Sequence, residues 1–107
     1  MKELRIADAA QADLRDIKQY TEQTWGAAQA RRYLDEIEAR FALLRNRSQL
    51  GRLRQDLGAG LRSLQSGGHM IFYKDMENRI EIIRILHASM DVGRHLKVAP
   101  RPRRRDR

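Results

Sequence analysis

Two amphipathic helical patterns meet at a single glycine, and this arrangement constrains the fold more than any other feature of the chain. Apolar residues recur every three or four positions in two consecutive segments, which places them on one side of each helix. The first stripe is Leu14, Ile17, Tyr20 or Thr21, and Trp25, and the second is Ala30, Tyr33 or Leu34, Ile37, Phe41 and Leu44. Gly26 ends the first helix, because glycine readily adopts the left-handed conformation at a helix C-terminus. So short a connection predicts an antiparallel helical hairpin that ends near Asn46.

The C-terminal half predicts three antiparallel strands. LRSLQ, HMIFYKD and IEIIRILH are rich in β-branched and aromatic residues, and the Gly67-Gly68 pair between the first two is typical of a hairpin turn. Strict alternation in the third strand puts Ile80, Ile82, Arg84 and Leu86 on one face and Ile83, Ile85 and His87 on the other. Because both faces are partly apolar, we expect this strand to lie inside the sheet.

Shorter signals complete the predicted organisation. Leu4-Arg5-Ile6 is a candidate for a short N-terminal edge strand, and Asp8 followed by Gln11 is a helix-start signature in which both side chains cap free backbone groups. RSQLGRLRQDLGAG is predicted to be a loop, and ASMDVGRHL is compatible with one turn of helix. We therefore predict an α+β protein: an N-terminal helical hairpin packed on one face of a small antiparallel β-sheet.

Length and charge bound the function. The 107 residues suffice for one domain, predicted over residues 1–96, with residues 97–107 as a basic, flexible tail. The net charge of +8 is concentrated in residues 45–62 and 101–107, which each carry five arginines against one aspartate. Such cationic segments suit nucleic acid or an acidic protein partner. The absence of cysteine and of any ~20-residue apolar run favours a cytoplasmic protein that does not enter a membrane.

The residues that could carry chemistry form a basic, histidine-bearing set. Its members are Arg62, His69, Arg84, His87 and Arg94. Arginine binds phosphate or carboxylate through a planar fork, and histidine exchanges protons near neutral pH, so a phosphate-binding or RNA-cleaving site is one interpretation. The alternative gives both strand arginines ion pairs with Glu81 or Asp91, and the histidines backbone partners at strand ends. The four helix aromatics Tyr20, Trp25, Tyr33 and Phe41 are expected in the core, and no metal or cofactor motif is found.

Several phrases carry a family resemblance. Four segments of the chain resemble the ParE toxins of bacterial type II toxin-antitoxin modules, within the RelE/ParE superfamily. They are ADLRDIKQYTEQTWG, QARRYL, the LGR after the second helix, and GLRSLQSGGHMIFYKDMENRIEIIRILHASMDVGRHL. The match spans roughly residues 4–96. The resemblance implies a helical hairpin on one face of a curved antiparallel sheet. It also implies a ParD-like antitoxin, whose DNA-binding N-terminal part represses the operon and whose C-terminal segment wraps the toxin.

Two activities are known in that superfamily. RelE-type toxins cleave messenger RNA on the ribosome, and ParE-type toxins inhibit DNA gyrase. The last tyrosine here is Tyr73, so the C-terminal tyrosine of RelE is missing, although Arg62, Arg84 and His87 could still form a ribonuclease set. Inhibition by binding needs no catalytic constellation, and we therefore expect a non-enzymatic gyrase inhibitor, with a RelE-like endoribonuclease as the alternative.

The resemblance and the charge pattern together assign candidate surfaces. The target-binding candidates are Arg62, His69, Arg84, His87, Asp91, Arg94 and His95, and the antitoxin-binding candidates are Arg52, Arg54, Tyr33 and Ile37. We expect a hetero-oligomer with the antitoxin, gyrase as the target, and no sequence-specific DNA binding by the toxin alone. The activity is expected to reside in the C-terminal third of the chain.

Overall fold

The computed structural model describes residues 1–90 and 92–96, without the side chains of Val92 and Arg94. Its elements are β1 (Glu3–Ile6), α1 (Asp8–Trp25), α2 (Ala27–Asn46), β2 (Arg52–Leu53), β3 (Leu61–Ser66), β4 (His69–Asp75), β5 (Arg79–His87) and α3 (Val92–His95). Helices α1 and α2 pack on one face of a five-stranded sheet, which confirms the predicted α+β class. Residues 97–107, which include the predicted tail, lie outside the described residues.

The helical hairpin is as predicted, except at its first residue. Gly26, with φ of 96°, separates the two helices, and its N–H still donates to the Glu22 carbonyl. The residue that precedes α1 is Ala7, which makes no side-chain cap, so the prediction that Asp8 caps the helix is wrong. Gln11 does reach back, but its side-chain amide donates to the Ile6 carbonyl (2.9 Å). This contact ties the start of α1 to the end of β1.

The sheet is mixed, with the strand order β1-β5-β4-β3-β2. The candidate N-terminal strand is confirmed as an edge strand, but it runs parallel to β5, since Leu4 lies opposite Ile80 and Ile6 opposite Ile82. The expectation of a purely antiparallel sheet is therefore wrong at this edge. The chain between β1 and β5, which contains both helices and strands β2 to β4, supplies the long connection that a parallel arrangement requires. Strand β5 lies inside the sheet, as predicted, and the predicted loop contains β2, a two-residue edge strand paired with β3.

A β-bulge in β5 interrupts the alternation assumed from the sequence. Tyr73 lies opposite Ile82, whereas Phe72 lies opposite Arg84, so Ile83 is an extra residue in the ladder. Beyond the bulge, the faces are exchanged. Ile85 belongs to the same buried cluster as Ile80 and Ile82, and Leu86 belongs to the cluster on the other face. The prediction that Leu86 shares a face with Ile80 and Ile82 is wrong for this reason.

Two apolar clusters hold the sheet. The larger lies under the helices, where Ile37, Phe41 and Leu44 of α2 meet Ile71 and Tyr73 of the sheet, and the smaller lies on the opposite face and contains Leu61, Phe72, Leu86 and Leu96. The expected core positions of two aromatics are wrong: Tyr20 is 66% exposed and Trp25 is 69% exposed. Thr21 occupies the buried position instead of Tyr20, which leaves an exposed aromatic on α1. Within the described chain, neither long helix is apolar enough to span a bilayer.

Candidate functional site

The Tyr33 hydroxyl binds the β3–β4 turn to helix α2. It accepts a hydrogen bond from the Gly68 N–H (3.0 Å), lies 2.6 Å from His69 Nδ1, and lies 3.2 Å from the Ser66 carbonyl. Gly67 has φ of 59°, and a Cβ at this position would stand 2.5 Å from the Tyr33 ring. The turn therefore needs glycine both for its conformation and for the close approach of the ring. This arrangement fixes the position of His69 at the start of β4.

Two histidines meet at this end of the sheet. His69 lies opposite His87 in the β4–β5 ladder, and their rings pack edge to face with centroids 5.3 Å apart. Burial lowers the pKa of His69 below its ordinary value, and the nearby His87 lowers it further. The Ser89 N–H donates to His87 Nδ1 (3.2 Å), and the Ser89 hydroxyl lies 2.6 Å from the same nitrogen. A neutral His87 therefore carries its proton on Nε2.

Arg84 is held by groups from both ends of the chain. Its Nε and one terminal nitrogen donate to the two carboxylate oxygens of Asp13 (2.7 and 2.9 Å), and the other terminal nitrogen donates to the His95 carbonyl (2.8 Å). Asp13 also accepts from the Ile85 N–H (2.9 Å). The hydrogen bonds to the Asp13 carboxylate raise the pKa of Arg84 further above its ordinary value. This geometry is the bidentate arrangement that arginine would use on phosphate, but here the partner belongs to the fold.

Arg84 thus forms an ion pair within the fold, as the alternative to a phosphate-binding role predicted, but its partner is not the one expected. The sequence suggested Glu81 or Asp91, whereas Glu81 contacts Arg5 and Arg79, and Asp91 lies outside the described residues. Asp13 was not among the predicted site residues. The signal that could have pointed to it is weak, because a carboxylate on α1 is separated from its partner by 71 positions in the sequence.

Arg62 lies away from the histidines. It sits opposite Tyr73, while His69 lies opposite Ser66 at the other end of the same β3–β4 ladder. Ser66 is four positions further along β3 than Arg62, a distance of roughly 13 Å. The Arg62 guanidinium donates to the Gly51 carbonyl (2.8 Å) and thereby holds the loop before β2. The ribonuclease set of Arg62, Arg84 and His87 is therefore not brought together.

A cavity of about 490 Å³ opens between α1 and the end of β5. The target-binding candidates His69, Arg84, His87 and His95 line it. The other lining residues were not predicted to bind the target: Asp13, Asp16, Ile17, Tyr20, Ile85, Leu86 and Met90. Asp91 and the side chain of Arg94, also target-binding candidates, lie outside the described residues. In the described part of the chain, no three histidine, aspartate or glutamate side chains are close enough to hold a metal ion.

The antitoxin-binding candidates have very different exposures. Arg52 is exposed on β2, and Arg54 is half-buried, with its guanidinium bound to the Asp56 carboxylate (3.2 Å). The hydrogen bond from Arg54 lowers the pKa of Asp56. Tyr33 is half-buried in the turn contact described above. Ile37 is fully buried in the core, so it offers no surface to a partner.

Known proteins are similar to this chain over most of its length. Residues 4–92 match the family model for the ParE toxin of the type II toxin-antitoxin system parDE. The chain is 42% identical over 96 residues to toxin ParE1 of Caulobacter vibrioides, a match covering 90% of this chain and 99% of that protein. It is 36% identical over 92 residues to toxin ParE1 of Mycobacterium tuberculosis, covering 85% of this chain and 94% of that protein.

A solved structure agrees with the fold. The chromosomal ParDE TA system from P. aeruginosa contains a chain that matches with a TM-score of 0.71 at 22% identity, over 81% of this chain and 96% of that one. At this identity the likeness bears on the fold alone. The family model and the curated relatives carry the assignment, because they match nearly the full length of the described chain. The chain is therefore a member of the ParE toxin family of type II toxin-antitoxin systems.

Proposed function

We propose that this toxin inhibits DNA gyrase by binding to it, and that a ParD-like antitoxin neutralises it by forming a hetero-oligomer. The observation that supports binding over catalysis is that both strand arginines form hydrogen bonds with groups of the protein itself. Arg84 is bound by Asp13 and the His95 carbonyl, and Arg62 is bound by the Gly51 carbonyl. Neither guanidinium is directed to a shared phosphate position with His87. The proposed action is in the cytoplasm, where gyrase and DNA are found.

The geometry favours binding over RNA cleavage for a chemical reason. Cleavage through the RNA 2′-OH needs a base, an acid and a cation within hydrogen-bonding reach of one phosphate. In this protein, His87 is exposed at one end of the sheet, Arg62 lies roughly 13 Å away along the strand, and Arg84 is neutralised by a carboxylate. A binding inhibitor needs only a complementary surface. The candidate target surface keeps His69, His87 and His95, with Asp91 and Arg94 as further predicted members.

The proposed antitoxin surface includes the cationic β2 edge. Arg52 is exposed there beside Leu53, which is 44% exposed, so charge and apolar area occur together. Arg54 remains a candidate beside this edge, Tyr33 remains a separate candidate at the β3–β4 turn, and buried Ile37 is removed from the set. An acidic, amphipathic antitoxin segment would suit such a surface and would fold as it binds. The division into a toxin domain at 1–96 and a separate tail at 97–107 stays a prediction.

The central test is a supercoiling assay. Purified toxin is titrated into gyrase, ATP and relaxed plasmid, and we expect a dose-dependent loss of supercoiling that a stoichiometric amount of the antitoxin restores. A parallel reaction supplies ribosomes and a labelled transcript. Unaffected supercoiling at a large molar excess of toxin would contradict the proposal. Transcript cleavage at ribosome-dependent positions would support the endoribonuclease alternative instead.

The antitoxin surface has its own test. Replacing Arg52 and Arg54 with glutamate should weaken antitoxin binding, because two attractive charges become repulsive. The matched control replaces Arg15 and Lys18 on α1 with glutamate, which changes the net charge of the protein by the same amount. Calorimetry measures both affinities. Equal affinities of the two double variants would remove the β2 edge from the antitoxin surface.

A further inference from the structure

The cavity beside α1 has a size and a lining that suit the binding of a side chain from a partner protein. Its volume of about 490 Å³ lies in the range of ligand-binding pockets, and the buried members of its lining are the apolar side chains of Ile17, Ile85 and Leu86. Tyr20 from α1 and Met90 from beyond β5 are its exposed apolar members, and we call their side of the cavity its mouth. The lining thus combines buried and exposed apolar side chains.

The residues at the mouth are of the kinds that dominate protein interfaces. Tyr20 is 66% exposed and Met90 is 38% exposed, although both are large apolar side chains that share a lining with buried apolar ones. Tyrosine and methionine are enriched at protein interfaces, and methionine adapts its flexible chain to an inserted group, especially an aromatic one. Their position at the mouth favours a partner that inserts a large apolar side chain.

Charge indicates which partner inserts that side chain. The Arg84 guanidinium is paired with Asp13, and burial lowers the pKa of His69 below its ordinary value, which favours its uncharged form. With histidines counted as neutral, the described lining has a formal charge of −1, and the exposed Asp16 of α1 is the carboxylate outside the Asp13–Arg84 pair. An acidic antitoxin segment would be repelled here and attracted to Arg52 of β2 and the neighbouring Arg54, since β2 is the edge of the sheet opposite β1. A partner with a basic residue next to its apolar anchor fits the pocket better.

We propose that this cavity receives a large apolar or aromatic side chain of gyrase, with an adjacent lysine or arginine of gyrase paired to Asp16. The inference rests on the proposed function, whose target it specifies further. It places the primary target contact between α1 and the end of β5. It also separates that contact from the antitoxin surface at the β2 edge.

The test compares two aromatics on one helix. Tyr20→Ala removes the aromatic at the mouth of the cavity, and Trp25→Ala removes an equally exposed aromatic that does not line it. Both residues are about two-thirds exposed, so neither truncation should disturb folding, and circular dichroism of each variant is the control for this. Loss of an interface anchor should raise the toxin concentration needed for half-inhibition of supercoiling about tenfold or more for Tyr20→Ala. The Trp25→Ala value should stay within about twofold of the wild-type value.

A second pair of variants tests the charge. Asp16→Arg should weaken gyrase inhibition about tenfold, whereas Glu22→Arg, an equivalent reversal on the same helix outside the cavity, should have little effect. Antitoxin affinity is measured for all four variants and should remain at the wild-type value. Inhibition by Tyr20→Ala and Asp16→Arg that equals the wild-type level would overturn the inference while leaving the proposed function intact.

Three other results would each contradict part of the proposal. Weakened antitoxin binding by Tyr20→Ala with unchanged gyrase inhibition would assign the cavity to the antitoxin and overturn the inference. Loss of both interactions in folded protein would overturn the separation of the two surfaces. Wild-type toxin that fails to inhibit gyrase at all would refute the proposed function, and the gyrase assignment of the cavity with it.

Discussion

The pair formed by Asp13 and Arg84 gives the sharpest prediction about stability. Asp13→Ala removes a carboxylate that accepts three hydrogen bonds, two from the Arg84 guanidinium and one from the Ile85 N–H. The Asp13 side chain is only 11% exposed and that of Arg84 only 23% exposed. The substitution therefore leaves a charged guanidinium and a backbone N–H without their partner in a largely buried position.

The expected magnitude follows from that burial. Removing one member of a buried ion pair costs about 3–5 kcal/mol, and the partial exposure of Arg84 places this case near the lower end, at about 3 kcal/mol. A domain of this size has a free energy of unfolding of roughly 5–15 kcal/mol, so the variant should lose a substantial fraction of its stability. Asp16→Ala, one turn away and exposed, should change stability by less than about 0.5 kcal/mol.

Urea denaturation followed by far-ultraviolet circular dichroism is the appropriate assay. The single tryptophan, Trp25, is too exposed to report strongly on unfolding by fluorescence. Arg84→Met and the double variant with Asp13→Ala complete a thermodynamic cycle, in which the two substitutions together should cost less than the sum of each alone, by about 1 kcal/mol or more. Additive effects would refute the structural role assigned to the pair. Loss of toxicity with unchanged stability in Arg84→Met would point instead to a functional guanidinium.

Three further predictions concern single sites. Gly51→Ala should destabilise the fold by about 2–3 kcal/mol, because a Cβ would stand 2.5 Å from the Tyr73 hydroxyl. The control, Gly60→Ala, should cost about 1 kcal/mol, because its Cβ meets open space and only the positive φ is strained. Tyr73→Phe should cost about 1–3 kcal/mol in urea denaturation, since it removes the hydroxyl that binds the Ser48 carbonyl and the Gly51 N–H. Because the pKa of His69 is lowered in the folded protein, this histidine binds a proton more readily in the unfolded chain. Its contribution to the free energy of unfolding is therefore fully present above pH ~6.5 and decreases as the pH falls below that value. His69→Gln should flatten this dependence in thermal melts from about pH 5 to 8.

The sequence predicts elements better than the contacts between them. The hairpin helices and strand β4 follow from local periodicity and from turn residues such as Gly26, and the structure confirms them. The parallel pairing of β1 could not be predicted, because a three-residue apolar signal does not specify a partner strand or its direction. The exposure of Tyr20 could not be predicted either, because Thr21 satisfies the same helical spacing and is the residue that is buried. At the site, residue types identified the histidine pair, but no local pattern connects Asp13 with Arg84.

The extra residue in β5 has a consequence for how the family could vary. Ile83 is the extra residue of the ladder, and beyond it His87 stands directly opposite His69. Deleting Ile83 would remove the bulge and leave His87 opposite His69, because Arg84 would then follow Ile82 directly and still pair with Phe72. One residue added between Arg84 and Leu86 would instead bring Leu86 opposite His69 and separate the two imidazoles. Relatives are therefore expected to tolerate the loss of a residue at the bulge better than the gain of a residue beyond it.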